Sequence, residues 1–150
     1  MLNIIKRVTG RRSIVLLAAI LQAPVNNANS VAMRTVDKGV MSNMDEGRQA
    51  TVRSADAWSR LWMQHAGDRT RPTVDFTKDV VVAVFMGTRP TGGFAVEITG
   101  IRQEGASLVV LYKETRPAPD GVAAQVLTSP FHIVAVPREA ATAVKFERVN

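Results

Sequence analysis

Val80-Val81-Val82-Ala83-Val84-Phe85-Met86, closed by Gly87, is an unbroken apolar run in which five of seven residues are β-branched or aromatic. A strand with one wet face alternates apolar and polar residues, so such a run reads as a strand covered on both faces. Downstream, Phe94, Val96 and Ile98 alternate with Ala95, Glu97 and Thr99, a strand with one wetter face. Gly100 followed by Ile101 breaks that alternation and predicts a bulge. Beyond the turn at Glu104-Gly105, Leu108, Val110 and Tyr112 mark a further strand, and residues 115–122, with Pro117, Pro119, Asp120 and Gly121, a loop. Residues 131–136 and 143–149 complete the strands on either side of Pro137.

Upstream, Pro72 and the polar residues of 68–79 predict a loop. Before it, Trp58, Leu61, Trp62 and His65 recur at helical spacing. Ser54 can cap the first turn, Asp56 sits where the helix dipole favours an anion, and Gly67 is a natural stop, so residues 55–66 read as an amphipathic helix laid against a sheet. Residues 49–53 read as a short strand. Residues 31–47 hold Val31, Val36, Val40, Met41 and Met44 without a clean period and are expected to be a flexible arm. The links between strands are too brief for parallel crossovers. The expectation is an α+β domain over residues 48–150: a mostly antiparallel sheet of about six strands with one helix packed on it.

The N-terminus has the three parts of a signal peptide. A basic stretch ending at Arg11-Arg12 precedes an apolar core ending at Leu21, and Ala28 and Ser30 supply the small residues of a cleavage site. The core spans roughly 12 Å as a helix, against a hydrocarbon layer of roughly 30 Å. Residues 1–30 are therefore expected to be removed near Ser30, giving a periplasmic or secreted protein with no stable membrane insertion. Arg11-Arg12 followed by Ser13 leaves both general and twin-arginine export open.

Charge supports the same division. Of 19 basic residues, Lys6, Arg7, Arg11 and Arg12 lie in this leader with no acid beside them, leaving 15 against 13 acids in the remainder. The body has no basic footprint, so nucleic acid is not an expected partner. With no cysteine there is neither a disulfide nor a lipid-attachment thiol.

Catalytic groupings are sparse. The only histidines, His65 and His132, are far apart with no thiolate to complete a ligand set, so no metal or other cofactor is expected. There is no Gly-x-Ser-x-Gly elbow, and Ser129 and His132 could meet only across a sharp local fold. The glycines of Arg89-Pro90-Thr91-Gly92-Gly93-Phe94 open a strand and not a helix, which disfavours a phosphate cradle. That segment reads as a turn, and loops held between strands are where binding residues concentrate. Thr128-Ser129-Pro130-Phe131-His132 reads as the start of a strand, with Pro130 where no ladder donor is needed.

Taken together, residues 80–87, Arg89-Pro90-Thr91-Gly92-Gly93-Phe94, 108–112, 117–121 and Gln125-Val126-Leu127-Thr128-Ser129-Pro130-Phe131-His132-Ile133-Val134 resemble the PrcB C-terminal domain family of protease complex subunits. The segments 56–62 and 74–78 extend the likeness to about residues 48–147. The resemblance implies a non-catalytic, exported accessory domain, the family being named for a subunit that associates with a secreted serine protease. It makes a protein partner the leading expectation, met through Arg89 to Phe94 and through Ser129, Pro130, Phe131 and His132.

Two further readings stand beside it. Pro90-Thr91-Gly92-Gly93-Phe94 looks superficially like the inhibitory loop of chagasin-type peptidase inhibitors. A small hydrolase using Ser129, His132 or a carboxylate, or a ligand carrier using the face of Trp58 and Trp62, is the third.

Overall fold

A computed structural model describes residues 29–150; the leader read at 1–30 thus lies, but for its last two residues, outside the described residues. The elements run β1 (Arg34–Gly39), β2 (Arg48–Val52), α1 (Ala55–Ala66), β3 (Asp79–Phe85), β4 (Ala95–Glu104), β5 (Ser107–Thr115), β6 (Phe131–Pro137), a short 3-10 turn (Arg138–Ala140) and β7 (Ala143–Val149). The strands form two sheets, one ordered β1-β6-β3-β2 and the other β4-β5-β7. The class is α+β, mostly antiparallel with one helix, arranged as three layers: helix, four-stranded sheet, three-stranded sheet.

The apolar run of β3 is explained by this sandwich. Successive side chains of a strand point to opposite faces. Val80, Val82, Val84 and Met86 meet Val96, Ile98, Leu108 and Val110 of the second sheet, while Val81, Ala83 and Phe85 meet Trp58, Leu61 and Trp62 of α1. Burying each such side chain contributes about 1.5–3 kcal/mol, so a polar residue is accommodated on either face only with a hydrogen-bond partner. β6 repeats the pattern, with Val134 and Val136 on one side and Phe131 and Ile133 on the other.

Helix α1 begins where Ser54 accepts the Ala57 amide and ends where the Gly67 amide bonds to the Met63 carbonyl. Its tryptophans are core. The indole N–H of Trp58 donates to the Pro72 carbonyl at 3.0 Å and that of Trp62 to the Arg69 carbonyl at 2.8 Å, so the loop after the helix satisfies both buried donors.

Two expectations need correction. Residues 31–47 are not a flexible arm: they hold β1, which pairs antiparallel with β6 and carries an irregularity between Thr35 and Asp37. That irregularity scrambles the apolar period and hides the strand, which raises the number from about six to seven. The strands also divide between two sheets, and β7 runs parallel to β5 because β6, in the other sheet, supplies the crossover. The predicted bulge in β4 is present: register shifts between Ile98 and Gly100.

Candidate functional site

The turn after β3 is built by close approach of backbone to backbone. Gly87 has φ +77°, and a Cβ there would lie 2.7 Å from Gly47 N and 2.8 Å from Asp45 O, so only glycine fits. Thr88 follows, its amide donating to the Asp45 carbonyl at 2.9 Å. Arg89 and Thr128 then exchange both backbone hydrogen bonds, at 2.7 and 3.0 Å. Thr128 Oγ1 donates to the Thr91 carbonyl at 2.9 Å, and the Gly92 amide to the Ala124 carbonyl at 2.8 Å. The Arg89 guanidinium donates to the Met86 carbonyl at 2.9 Å and sits over the Phe94 ring. The two segments singled out in the sequence are therefore one structure, joined by backbone ladder and side-chain clasp.

Their side chains divide sharply. Pro90 and Gly93 are exposed, and Arg89, Thr91, Gly92 and Phe94 half-buried. Ser129, Pro130, Phe131 and His132 are buried. Ser129 Oγ donates to the Met44 carbonyl at 2.7 Å, and Phe131 packs against His65 and Phe85 under the helix. These four residues hold the turn from behind; what faces outward is the turn itself and its flank. That flank is a shallow cavity of about 220 Å³ lined by Met41, Ser42, Asp45, Thr88, Leu127, Thr128 and Ser129. Met41 and Leu127 are 67% and 65% exposed, large apolar side chains left in water beside a rigid turn. Neither has a sequence signal as a contact residue, although Leu127 falls inside the 125–134 stretch that carries the family likeness.

His132 faces the other way, into the space between the sheets. Its Nδ1 accepts the Ile98 amide at 2.8 Å, which fixes the remaining proton on Nε2, bonded to Thr35 Oγ1 at 2.9 Å. Burial, followed by the charge of Lys38, pushes its pKa below the usual histidine range, against a smaller opposing pull from Glu97.

His65 centres a second network that the sequence gave no means of seeing. Its ring is enclosed by Trp62, Phe85 and Phe131. Nδ1 lies 2.8 Å from Ser42 Oγ and Nε2 3.3 Å from Asp37 Oδ2, which also receives the Arg69 guanidinium at 3.2 Å. Burial lowers the His65 pKa, outweighing the hydrogen bond and charge of Asp37. The order hydroxyl, imidazole, carboxylate is that of a nucleophile chain. Here Ser42 Oγ also accepts the Met44 amide at 3.1 Å, and the Asn43 amide donates to the His65 carbonyl at 2.8 Å, so the same atoms fasten the segment after β1 to the end of α1. Asp37 and Ser42 lie 28 and 23 positions before His65, outside any local motif. Among the described residues no group of three or more His, Cys, Asp or Glu is gathered to hold a metal ion.

The model of the family described as PrcB C-terminal matches residues 80–137, from β3 through β6, and so includes both halves of the clasped turn. The likeness drawn from the sequence is shown over that stretch. No curated protein and no solved structure matches the chain.

Proposed function

We propose that this chain, with its PrcB C-terminal segment at residues 80–137, is an exported, non-catalytic accessory subunit that docks on a partner protein, a secreted protease being the class the family points to. The family match supports association with a protease complex at the coarse level. The observation that carries the surface is the cavity at the foot of the clasped turn, where exposed Met41 and Leu127 stand beside Thr88 and Thr128. Exposed apolar groups rimmed by polar ones mark contact surfaces. A turn already held by its own hydrogen bonds also loses little freedom when a partner arrives. Export rests on the basic, apolar and small-residue pattern of 1–30.

Affinity capture of the full-length chain from its own envelope fraction tests the role. A stoichiometric partner is expected, lost on Met41→Glu with Leu127→Glu while the fold is retained. Equal recovery with that variant removes the surface, and a cytosolic product retaining residues 1–30 removes export. Titration against serine and cysteine peptidases separates stabilising association from inhibition.

A further inference from the structure

We propose that the outer edge of β2 binds an extended, acidic polypeptide segment by strand addition, at a surface that meets the turn at 88–94 only at Arg89. β2 ends the four-stranded sheet, and its strand partner among the described residues is β3 alone. No other backbone hydrogen bond of residues 48–52 exists among the described residues. An edge of this kind offers a row of unpaired N–H and C=O groups. Strand addition draws affinity from that row and selectivity from pockets for alternate side chains.

Both faces of this edge carry a pocket. On the helix side a cavity of about 420 Å³ runs the length of β2, with Ala50, Ala57 and Leu61 as apolar lining beside Arg48 and Arg60. On the opposite face a cavity of about 290 Å³ shares Arg48 and Gln49 and reaches Tyr112. An added strand sends successive side chains to opposite faces, so its neighbours would fall into the two cavities in turn.

Charge identifies the occupant. The helix-side cavity is lined by two arginines and no carboxylate. Arg48 donates to the neutral amide oxygen of Gln64 at 3.1 Å, and no ion pair among the described residues uses Arg48 or Arg60. Glu114, on the opposite cavity, is already paired with Arg148 at 3.2 Å. Arg89, which also lines that cavity, is engaged by the Met86 carbonyl at 2.9 Å, so the preference for acid belongs to the helix side, where an acidic side chain would meet Arg48 and Arg60 above an apolar floor.

The test is titration of the isotope-labelled full-length chain with acetyl-Val-Glu-Val-Glu-Val-amide, read by amide shifts. Saturable shifts at residues 48–52 are expected, with binding weakened about tenfold by Arg60→Glu, an exposed position whose change leaves the rest of the spectrum in place. Of two isomers of the peptide N-methylated on alternate residues, one should lose binding and the other keep it, because only alternate residues of an added strand bond to the edge. Equal binding of both isomers overturns strand addition. Equal binding of acetyl-Val-Lys-Val-Lys-Val-amide overturns the acidic preference. Concentration-dependent pairing of the chain with itself through residues 48–52 would assign the edge to a second copy and overturn the proposal.

Discussion

His132 Nδ1 lies 2.8 Å from the backbone nitrogen of Ile98, so an imidazole of one sheet satisfies an amide of the other. β4 is an edge of the three-stranded sheet, and this amide would otherwise be buried without an acceptor. Replacement of His132 by Leu is expected to cost about 1–3 kcal/mol for the orphaned amide. His132→Asn, whose side-chain oxygen can take the place of Nδ1, should lose less. Urea midpoints of the two variants check this, and equal losses would show that volume, not the acceptor, matters there.

Both buried imidazoles also give stability a direction with pH. His65 and His132 have folded-state pKa values lowered by burial, so the unfolded chain binds more protons once pH falls below the ordinary histidine value. Stability should be flat above about pH 6.5 and fall below it, by up to about 1.4 kcal/mol per pH unit for each imidazole, until the folded-state pKa is reached. Asp75 and Glu97, lowered by hydrogen bonds from Thr77 and Lys38, add losses in the same direction at more acidic pH. Urea denaturation across this range measures the slope, which His132→Asn should reduce.

Gly87 and Gly100 should respond oppositely to the same change. Alanine at Gly87 meets both a positive φ and backbone atoms under 3 Å away, and is expected to destabilise by about 2 kcal/mol or more. Alanine at Gly100 meets nothing within 4 Å and no positive φ, so it should be close to neutral. Thermal midpoints of the pair distinguish a turn needing glycine from a bulge that tolerates a side chain.

Ser42, although ordered like a nucleophile beside His65, is expected to resist a fluorophosphonate probe, because its hydroxyl is held by the Met44 amide and the imidazole behind it is closed off by three aromatic rings. Ser42→Ala should instead lower stability by about 1–3 kcal/mol through the unsatisfied groups it leaves. Labelling of the wild-type chain that Ser42→Ala abolishes would overturn the non-catalytic reading.

The match between sequence and structure follows the range over which each feature is encoded. The two-sided burial of β3, the cap and stop of α1 and the bulge before Gly100 depend on residues within a few positions, and all three were legible. β1 was not. Its Arg34, Asp37 and Lys38 are polar because it is an edge strand, and only its ladder to β6, about a hundred positions away, makes it a strand. The site divided the same way: the glycine turn showed in the sequence, whereas the burial of residues 129–132 did not, since a strand's start looks alike whether it lies at a surface or between layers.

By itself, then, the chain's order of residues determined α1 and strands β2 to β7, their amphipathic faces, the glycine corners and the likeness that the family match shows over 80–137. Tertiary structure decided which strands share a sheet, that Met41 and Leu127 stand beside the turn, and that His132 reaches Ile98 and His65 reaches Ser42. The physical reason is one of range. Backbone geometry imposes periods of two and 3.6 on neighbouring side chains, while contacts between distant segments are chosen by the burial and hydrogen bonding of all layers at once.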